Sequence, residues 1–163
     1  MREPRKLQYQ RMSIKYSVIC AASGLALASV LAAAIFGVLR VGFGEILTNR
    51  WFKEPIMIAV VTLFAAAILF GLVAGNLIYR VGVQSLRVWL IGVALAWSCL
   101  LLSVLAGSSI NFLSEMSGTF GAAKAFQDYV FAPVAWVAIF GLLPAAGLGL
   151  LYAASVKKAL SKS

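Results

Sequence analysis

Four stretches of this chain contain no Asp, Glu, Lys or Arg, and they constrain its fold more than any other feature. They lie between four pairs of charged residues: Lys15 and Arg40, Glu54 and Arg80, Arg87 and Glu115, and Asp128 and Lys157. A membrane-spanning helix needs about 20 mainly apolar residues, and each stretch supplies them. Because every backbone group inside hydrocarbon must be hydrogen-bonded within the protein, we expect each stretch to be an α-helix. The sequence therefore predicts an all-α membrane protein with four transmembrane helices in a bundle.

The composition argues against a water-soluble fold. Hydrophobic residues make up 63% of the chain and charged residues 12%, against about 45–50% and about 25% in soluble domains. A net charge of +9 would suggest nucleic-acid binding in a soluble protein. Here the basic residues flank the apolar stretches, and no nucleic-acid-binding motif accompanies them. We therefore expect membrane lipids around the chain and no nucleic-acid partner.

The charged residues also set the predicted segment boundaries. In chain order, we predict a cytoplasmic basic tail (1–15), a helix (16–39), an outer loop (40–54), a helix (55–79), a cytoplasmic turn (80–87), a helix (88–106), an outer loop (107–128), a helix (129–156) and a cytoplasmic tail (157–163). Pro55 and Pro133 stand early in their helices, where a missing N–H is tolerated. Pro144 lies in the middle of the fourth helix and is expected to kink it.

The orientation follows from the distribution of Lys and Arg, which favour the cytoplasmic side of a membrane. Both tails and the 80–87 turn hold most of the 14 basic residues. We therefore expect both termini in the cytoplasm and an integral location in the bacterial inner (plasma) membrane. The Ala32–Ala34 run leaves a cleaved signal peptide as an alternative for the first helix. The apolar stretch continues to Leu39, longer than a signal peptide needs, which favours a retained helix.

Small residues recur at four-residue spacing in several predicted helices. Such rows allow close backbone approach and mark helix contact faces in membranes. We predict a packing or partner face formed by Gly24, Ala28, Ala32, Gly71, Gly75, Gly141, Ala145 and Gly149. One interpretation is packing within a single bundle, and the other is docking of a second copy or of another membrane protein. A second row on the first helix, Ser29, Ala33 and Gly37, favours an additional contact.

The residues needed for common catalytic and metal chemistry are sparse. The sequence has no histidine, and its two cysteines, Cys20 and Cys99, are isolated in apolar stretches without a CxxC pair. The charge-free stretches lack the ionisable residues that mark ion paths and proton relays in membranes. We therefore expect no catalytic residues, no cofactor and no metal, and we predict that the protein is not an enzyme.

Two further features have open interpretations. Asn76 either bonds across helices or lies at the headgroup level. In the second outer loop, Phe112, Met116 and Phe120 approximate a helical apolar stripe. We expect a short interfacial helix there, and the alternative is a partner-binding surface made by these three residues.

Three classes of function fit these observations to different degrees. The favoured hypothesis is a small integral membrane protein that acts through helix–helix or outer-loop contacts, as an accessory subunit, an immunity or exclusion protein, or an assembly partner of another membrane component. The alternative is a self-associating transporter or pore for a neutral or lipid-like solute. A membrane enzyme would depend on the four carboxylates predicted outside the membrane, which are scattered: Glu45, Glu54, Glu115 and Asp128. We regard that class as the least supported.

Overall fold

The structure is a computed structural model, and it describes residues 3–38, 50–83, 85–116 and 121–161. Its helices are α1 (Glu3–Val38), α2 (Arg50–Val81), α3 (Arg87–Glu115), α4 (Ala122–Phe126), α5 (Ala132–Phe140) and α6 (Leu142–Leu160), with a π-helical turn (Gln127–Phe131) between α4 and α5. No strand occurs within the described ranges. The prediction of an all-helical chain is confirmed.

Three of these helices are long and apolar enough to cross a membrane. The qualifying segments are Arg5–Val30 of α1, Glu54–Val81 of α2 and Arg87–Glu115 of α3. The chain from Ala122 to Leu160 qualifies as a fourth span if its two halves, which are bent by 57°, are counted together. Counting the bent pair as one span gives four, the predicted number, and leaving it out gives three.

The bend lies at Gly141, between α5 and α6. Pro144, about one turn further on, has no N–H to donate to the carbonyl of Phe140, and its ring crowds that carbonyl. The Gly141 N–H still bonds the Val137 carbonyl at 2.8 Å, and the Ala145 N–H bonds the Gly141 carbonyl at 3.0 Å. The predicted kink is therefore confirmed, and it lies on the N-terminal side of the proline.

The helices extend beyond the charge-free stretches at several ends. The first helix begins at Glu3 and runs through most of the segment predicted as a basic tail. α3 continues to Glu115 and so takes in the first part of the segment predicted as the second outer loop. Lys, Arg and Glu are good helix formers, so charge alone does not end a helix. Residues 39–49 of the predicted first outer loop lie outside the described ranges.

Four helices pack side by side in cyclic order. α2 lies between α1 and α3, α3 also packs on α6, and α6 returns to α1 through the smallest of these contacts. The most deeply buried large side chains are those of Ile78, Val88, Tyr152 and Val156, which are fully buried. These residues lie near the end of the molecule where α1 and α3 begin and α2 and α6 end. We call it the basic end, because it carries Arg5, Lys6, Arg11, Lys15, Arg80, Arg87, Lys157 and Lys158.

Candidate ligand-binding cavity

A layer of hydrogen-bonded hydroxyl groups crosses the interior near the basic end. Ser17 donates its hydroxyl hydrogen to the Ala67 carbonyl at 2.6 Å. Ser13 bonds both the Gly71 carbonyl and the Tyr152 hydroxyl. Because the single hydrogen of Ser13 goes to the carbonyl, Tyr152 is the donor in the second bond. All three side chains are buried, and we call Ser13, Ser17 and Tyr152 the polar layer.

One further turn toward the basic end, α1 and α2 are joined by a bond between two amides. Gln10 Nε2 donates to Asn76 Oδ1 at 2.9 Å in a partly buried position. The structure therefore supports the first interpretation of Asn76, that its side chain forms a hydrogen bond across helices. α1 can lie this close because α2 has glycine at the crossing. A Cβ at Gly71 would lie 3.1 Å from the Ile14 Cα, and one at Gly75 would lie 2.8 Å from the Gln10 Cα.

On the other side of the polar layer, the four helices separate around a cavity of about 410 Å³. This volume falls within the range of about 300–1,000 Å³ that is usual for small-molecule sites. The lining residues are small or apolar and come from α1, α2, α3 and α6: Ser17, Cys20, Ala21, Gly24, Leu25, Leu27, Ala28, Ile56, Ala59, Val60, Leu63, Ala67, Leu95, Ala96, Cys99, Leu100, Ser103, Val104, Pro144, Ala145, Leu148 and Tyr152.

The two ends of the cavity differ in exposure. The deep end lies against the polar layer, and its lining residues Ser17, Ala67 and Tyr152 are buried. At the other end, away from the basic end, the lining residues Leu27, Ala28, Ile56 and Pro144 are exposed. We call this exposed end the mouth. Buried residues therefore close the cavity at the polar layer, and exposed residues border it at the other end.

The interior of the pocket is uncharged, and its hydroxyl hydrogens are already used. Ser103 donates to the Leu100 carbonyl at 2.8 Å, as Ser17 and Tyr152 donate to their own partners. Cys20 and Cys99 both line the pocket as free thiols. None of the residues that line it is Asp, Glu, Lys or Arg. The pocket therefore offers van der Waals contact and two thiols, and no strong hydrogen-bond donor.

The small residues predicted as a packing or partner face have several different positions. Gly71 and Gly75 lie between α1 and α2, as described above. A Cβ at Gly149 would lie 2.5 Å from the Val93 Cα, so this glycine permits the contact of α6 with α3. At the bend, a Cβ at Gly141 would lie 2.7 Å from the Leu100 Cδ2. Four of the predicted glycines thus meet other parts of the same chain.

The other predicted small residues belong largely to the pocket. Gly24, Ala28 and Ala145 line it, and a Cβ at Gly24 would lie 2.8 Å from the Leu148 Cδ1 of α6. Ala32 is part of α1, but its side chain lies outside those that the structure describes.

One row of small residues was missed by the sequence prediction. Gly92, Cys99, Ser103 and Gly107 are all buried along one face of α3. A Cβ at Gly107 would lie 2.8 Å from the Pro55 carbonyl oxygen on α2. The four-residue spacing of Cys99, Ser103 and Gly107 could have revealed the row from the sequence.

The aromatic residues of the predicted second outer loop are divided between elements. Phe112 lies in the last turns of α3, and its ring meets that of Phe126 edge-on at 5.9 Å between centroids. Met116 follows the end of α3 and is 47% exposed. Phe120, the third residue predicted there, lies outside the described residues. α4 is a short helix in this segment, and the prediction that a helix here lies on the membrane surface remains a prediction.

Among the residues that the structure describes, no three side chains of Cys, Asp or Glu come together as metal ligands. The feature best shaped to hold a ligand is the pocket, and its lining favours apolar molecules. In the comparisons with known proteins, no family model, no curated protein and no solved structure matches this chain.

Proposed function

We propose that this chain is an integral membrane protein that binds an apolar, lipid-like molecule in the pocket between its helices, without performing catalysis. The supporting observation is the pocket itself, closed and buried at the polar layer and exposed at the mouth. A well-packed interior has few voids larger than a water molecule. A space of about 410 Å³ is therefore room that a ligand can fill.

The proposed setting is a four-helix bundle in the bacterial inner membrane, with the basic end at the cytoplasmic face and both termini in the cytoplasm. The clustering of described basic side chains at one end supports this orientation. The mouth then lies in the outer half of the membrane. Its rim residues Leu27, Ile56 and Pro144 would face the surrounding lipid there.

The polar layer bears on the choice between a binding pocket and a pore. A continuous pore would need a path past Ser13, Ser17 and Tyr152, whose hydroxyl groups are bonded to neighbouring helices. Breaking these bonds would leave buried polar groups without partners, at about 1–3 kcal/mol each. A pocket that is loaded and unloaded through its mouth requires no such rupture. The geometry favours binding or carriage of the molecule over open passage.

The test is native mass spectrometry of the purified protein in mild detergent with added palmitic acid. We expect one molecule bound per wild-type chain. Ala21 lines the pocket, whereas its neighbour Ala22 is exposed on the outside of α1. Ala21→Phe should weaken binding by about tenfold, or about 1.4 kcal/mol, because the new ring fills the pocket. Ala22→Phe is the matched control and should bind like wild type. Equal binding by all three proteins, or by none of them, would count against the proposal.

A second candidate function is that of an accessory, immunity or assembly partner of another membrane protein. Ala22, Ala26 and Ser29 lie one above another on an exposed face of α1, and the Ser29 hydroxyl bonds back to the Leu25 carbonyl at 2.8 Å. Small exposed residues in such a row suit close contact with another helix. Co-purification from membranes after cross-linking tests this candidate. Ala26→Leu should abolish a specific complex, whereas Ala94→Leu on the exposed side of α3 should not.

A further inference from the structure

We infer that the ligand is a straight hydrocarbon chain with a polar head, inserted tail first, so that its methyl end lies against the polar layer and its head stays at the mouth. This inference rests on the proposed function and specifies both the class of ligand and its direction. The shared chemistry is that of a fatty acid or of one acyl chain of a membrane lipid.

The deep end of the pocket is unsuited to the head of such a molecule. Lipid heads carry carboxylate, ester or phosphate oxygens, which need hydrogen-bond donors once they leave water. The hydroxyl hydrogens of Ser17 and Tyr152, which lie at this end, are given to acceptors within the protein. A head placed at the deep end would lose its hydration and gain no donor stronger than a thiol. A methyl group makes no hydrogen bonds to water, so it loses none when it enters the deep end.

The depth of the pocket fits one hydrocarbon chain. Along α1 its lining runs from Ser17 to Ala28, and along α2 from Ala67 to Ile56. At a rise of about 1.5 Å per residue, both runs measure about 16 Å. The hydrocarbon core of a bilayer is about 30 Å thick, so one leaflet has about this depth. A chain that reaches the polar layer can therefore leave its head at the level of the mouth.

The mouth provides the exit that the head requires. Leu27, Ala28, Ile56 and Pro144 are exposed as well as pocket-lining, so a head at this level is not enclosed by protein. Exposed Glu54 stands two residues outside Ile56 on α2. On this helix the first charged residue therefore lies just beyond the apolar lining.

Photolabelling with two palmitic acid probes tests the direction of insertion. One probe carries a diazirine next to the terminal methyl group, and the other carries it next to the carboxyl group. After illumination and peptide mapping, the methyl-end probe should label residues 17–21 and 148–152 several-fold more than residues 25–28 and 56–60. The carboxyl-end probe should show the reverse ratio. A third probe, a phosphatidylglycerol with a diazirine at one chain end, distinguishes a membrane lipid from a free fatty acid as the source of the chain.

Fatty acids of different chain length, tested on a variant whose pocket is shortened by a substitution, give an independent readout. Cys20 lines the pocket one turn from Ser17, whereas Ile19 beside it is 47% exposed on the lipid side. Cys20→Phe should shift the preferred fatty acid from 16 carbons toward about 12, since several methylenes lose their contacts. Ile19→Phe should leave the preference unchanged. An equal loss for every chain length would show that the tail does not reach Cys20.

The outcomes separate this inference from the proposed function. If pocket residues are labelled without any order of depth, or in the reverse order, the tail-first inference is wrong and the binding proposal stands. If only lipid-facing positions such as Ile19 and Ala22 are labelled, and no fatty acid is retained in the native spectrum, the binding proposal itself is wrong.

Discussion

The same four helices are packed in two different ways at the two ends of the molecule. At the basic end, glycines bring α1 onto α2, and hydroxyl and amide groups join the helices by hydrogen bonds. Toward the other end, α2 and α3 still meet closely at Gly107, but larger residues such as Leu63, Leu95 and Leu100 face a space that they do not fill. Contact between these helices therefore depends on backbone approach and polar bonding. Apolar side chains alone leave room between helices, because lipid is as good a solvent for them as protein.

The contact of α6 with α3 should be the part of the molecule most sensitive to one added methyl group. Gly149→Ala would place a Cβ 2.5–2.7 Å from backbone atoms of Gly92 and Val93, so we expect a loss of about 1–3 kcal/mol in the free energy of unfolding. Gly147→Ala is the matched control, because a Cβ there meets nothing within 4 Å. It should be neutral or stabilise by up to about 1 kcal/mol. Denaturant titration in detergent followed by helical circular dichroism measures both. Similar values for the two variants would contradict the tight packing.

The next effect concerns the polar layer. Tyr152→Phe removes the donor to Ser13, and we expect a loss of about 1–2 kcal/mol in the same measurement. Tyr16→Phe serves as control, since Tyr16 is only partly buried beside the core. If Tyr152→Phe is as stable as wild type, the polar layer is not what holds the basic end together.

The hydrogen bond between Gln10 and Asn76 should contribute less to the free energy of unfolding than the polar layer does. Gln10→Ala, Asn76→Ala and the double variant form a thermodynamic cycle for the bond at 2.9 Å. We expect a coupling energy of about 0.6 kcal/mol, the average for polar contacts between membrane helices. Additive losses in the cycle would mean that the two amides do not interact in the membrane-embedded protein.

The smallest effect is expected at the pocket. Ala96→Leu points a larger side chain into empty space, so the free energy of unfolding should change by less than about 0.5 kcal/mol. Binding of palmitic acid should nevertheless fall. Ala94→Leu, at an exposed position of α3, should change neither property. A large loss of stability in Ala96→Leu would show that this half of the molecule is as tightly packed as the basic end.

The sequence predicts the helices and the bend because both depend on local physics. Absence of charge over long stretches sets the apolar part of each helix, and Pro144 removes a backbone hydrogen bond whatever surrounds it. The beginning of α1 at Glu3 was not foreseen, since charged residues can continue a helix beyond its apolar part.

The pocket could not be predicted from the sequence, since it depends on how faces of different helices combine. Four-residue spacing shows that Gly24, Gly71 and Gly149 lie on small-residue faces, but it does not tell which helix each face meets. Cys20 and Cys99 lie on helices that are not adjacent in the chain, and only the tertiary packing brings both to one pocket. Ser13 and Tyr152 are likewise joined across nearly the whole length of the chain.

The bend at Gly141 links the shape of the last predicted membrane helix to the access to the pocket. Pro144 both interrupts the backbone bonding and stands on the rim of the pocket, so a change in the angle between α5 and α6 also changes the width of the opening. A guest wider than the resting gap would have to widen the opening, by a change in that angle or by displacement of α1 or α2, which carry Leu27 and Ile56. By thermodynamic reciprocity, any force that alters the angle, such as a change in bilayer thickness, also alters how tightly the guest is held.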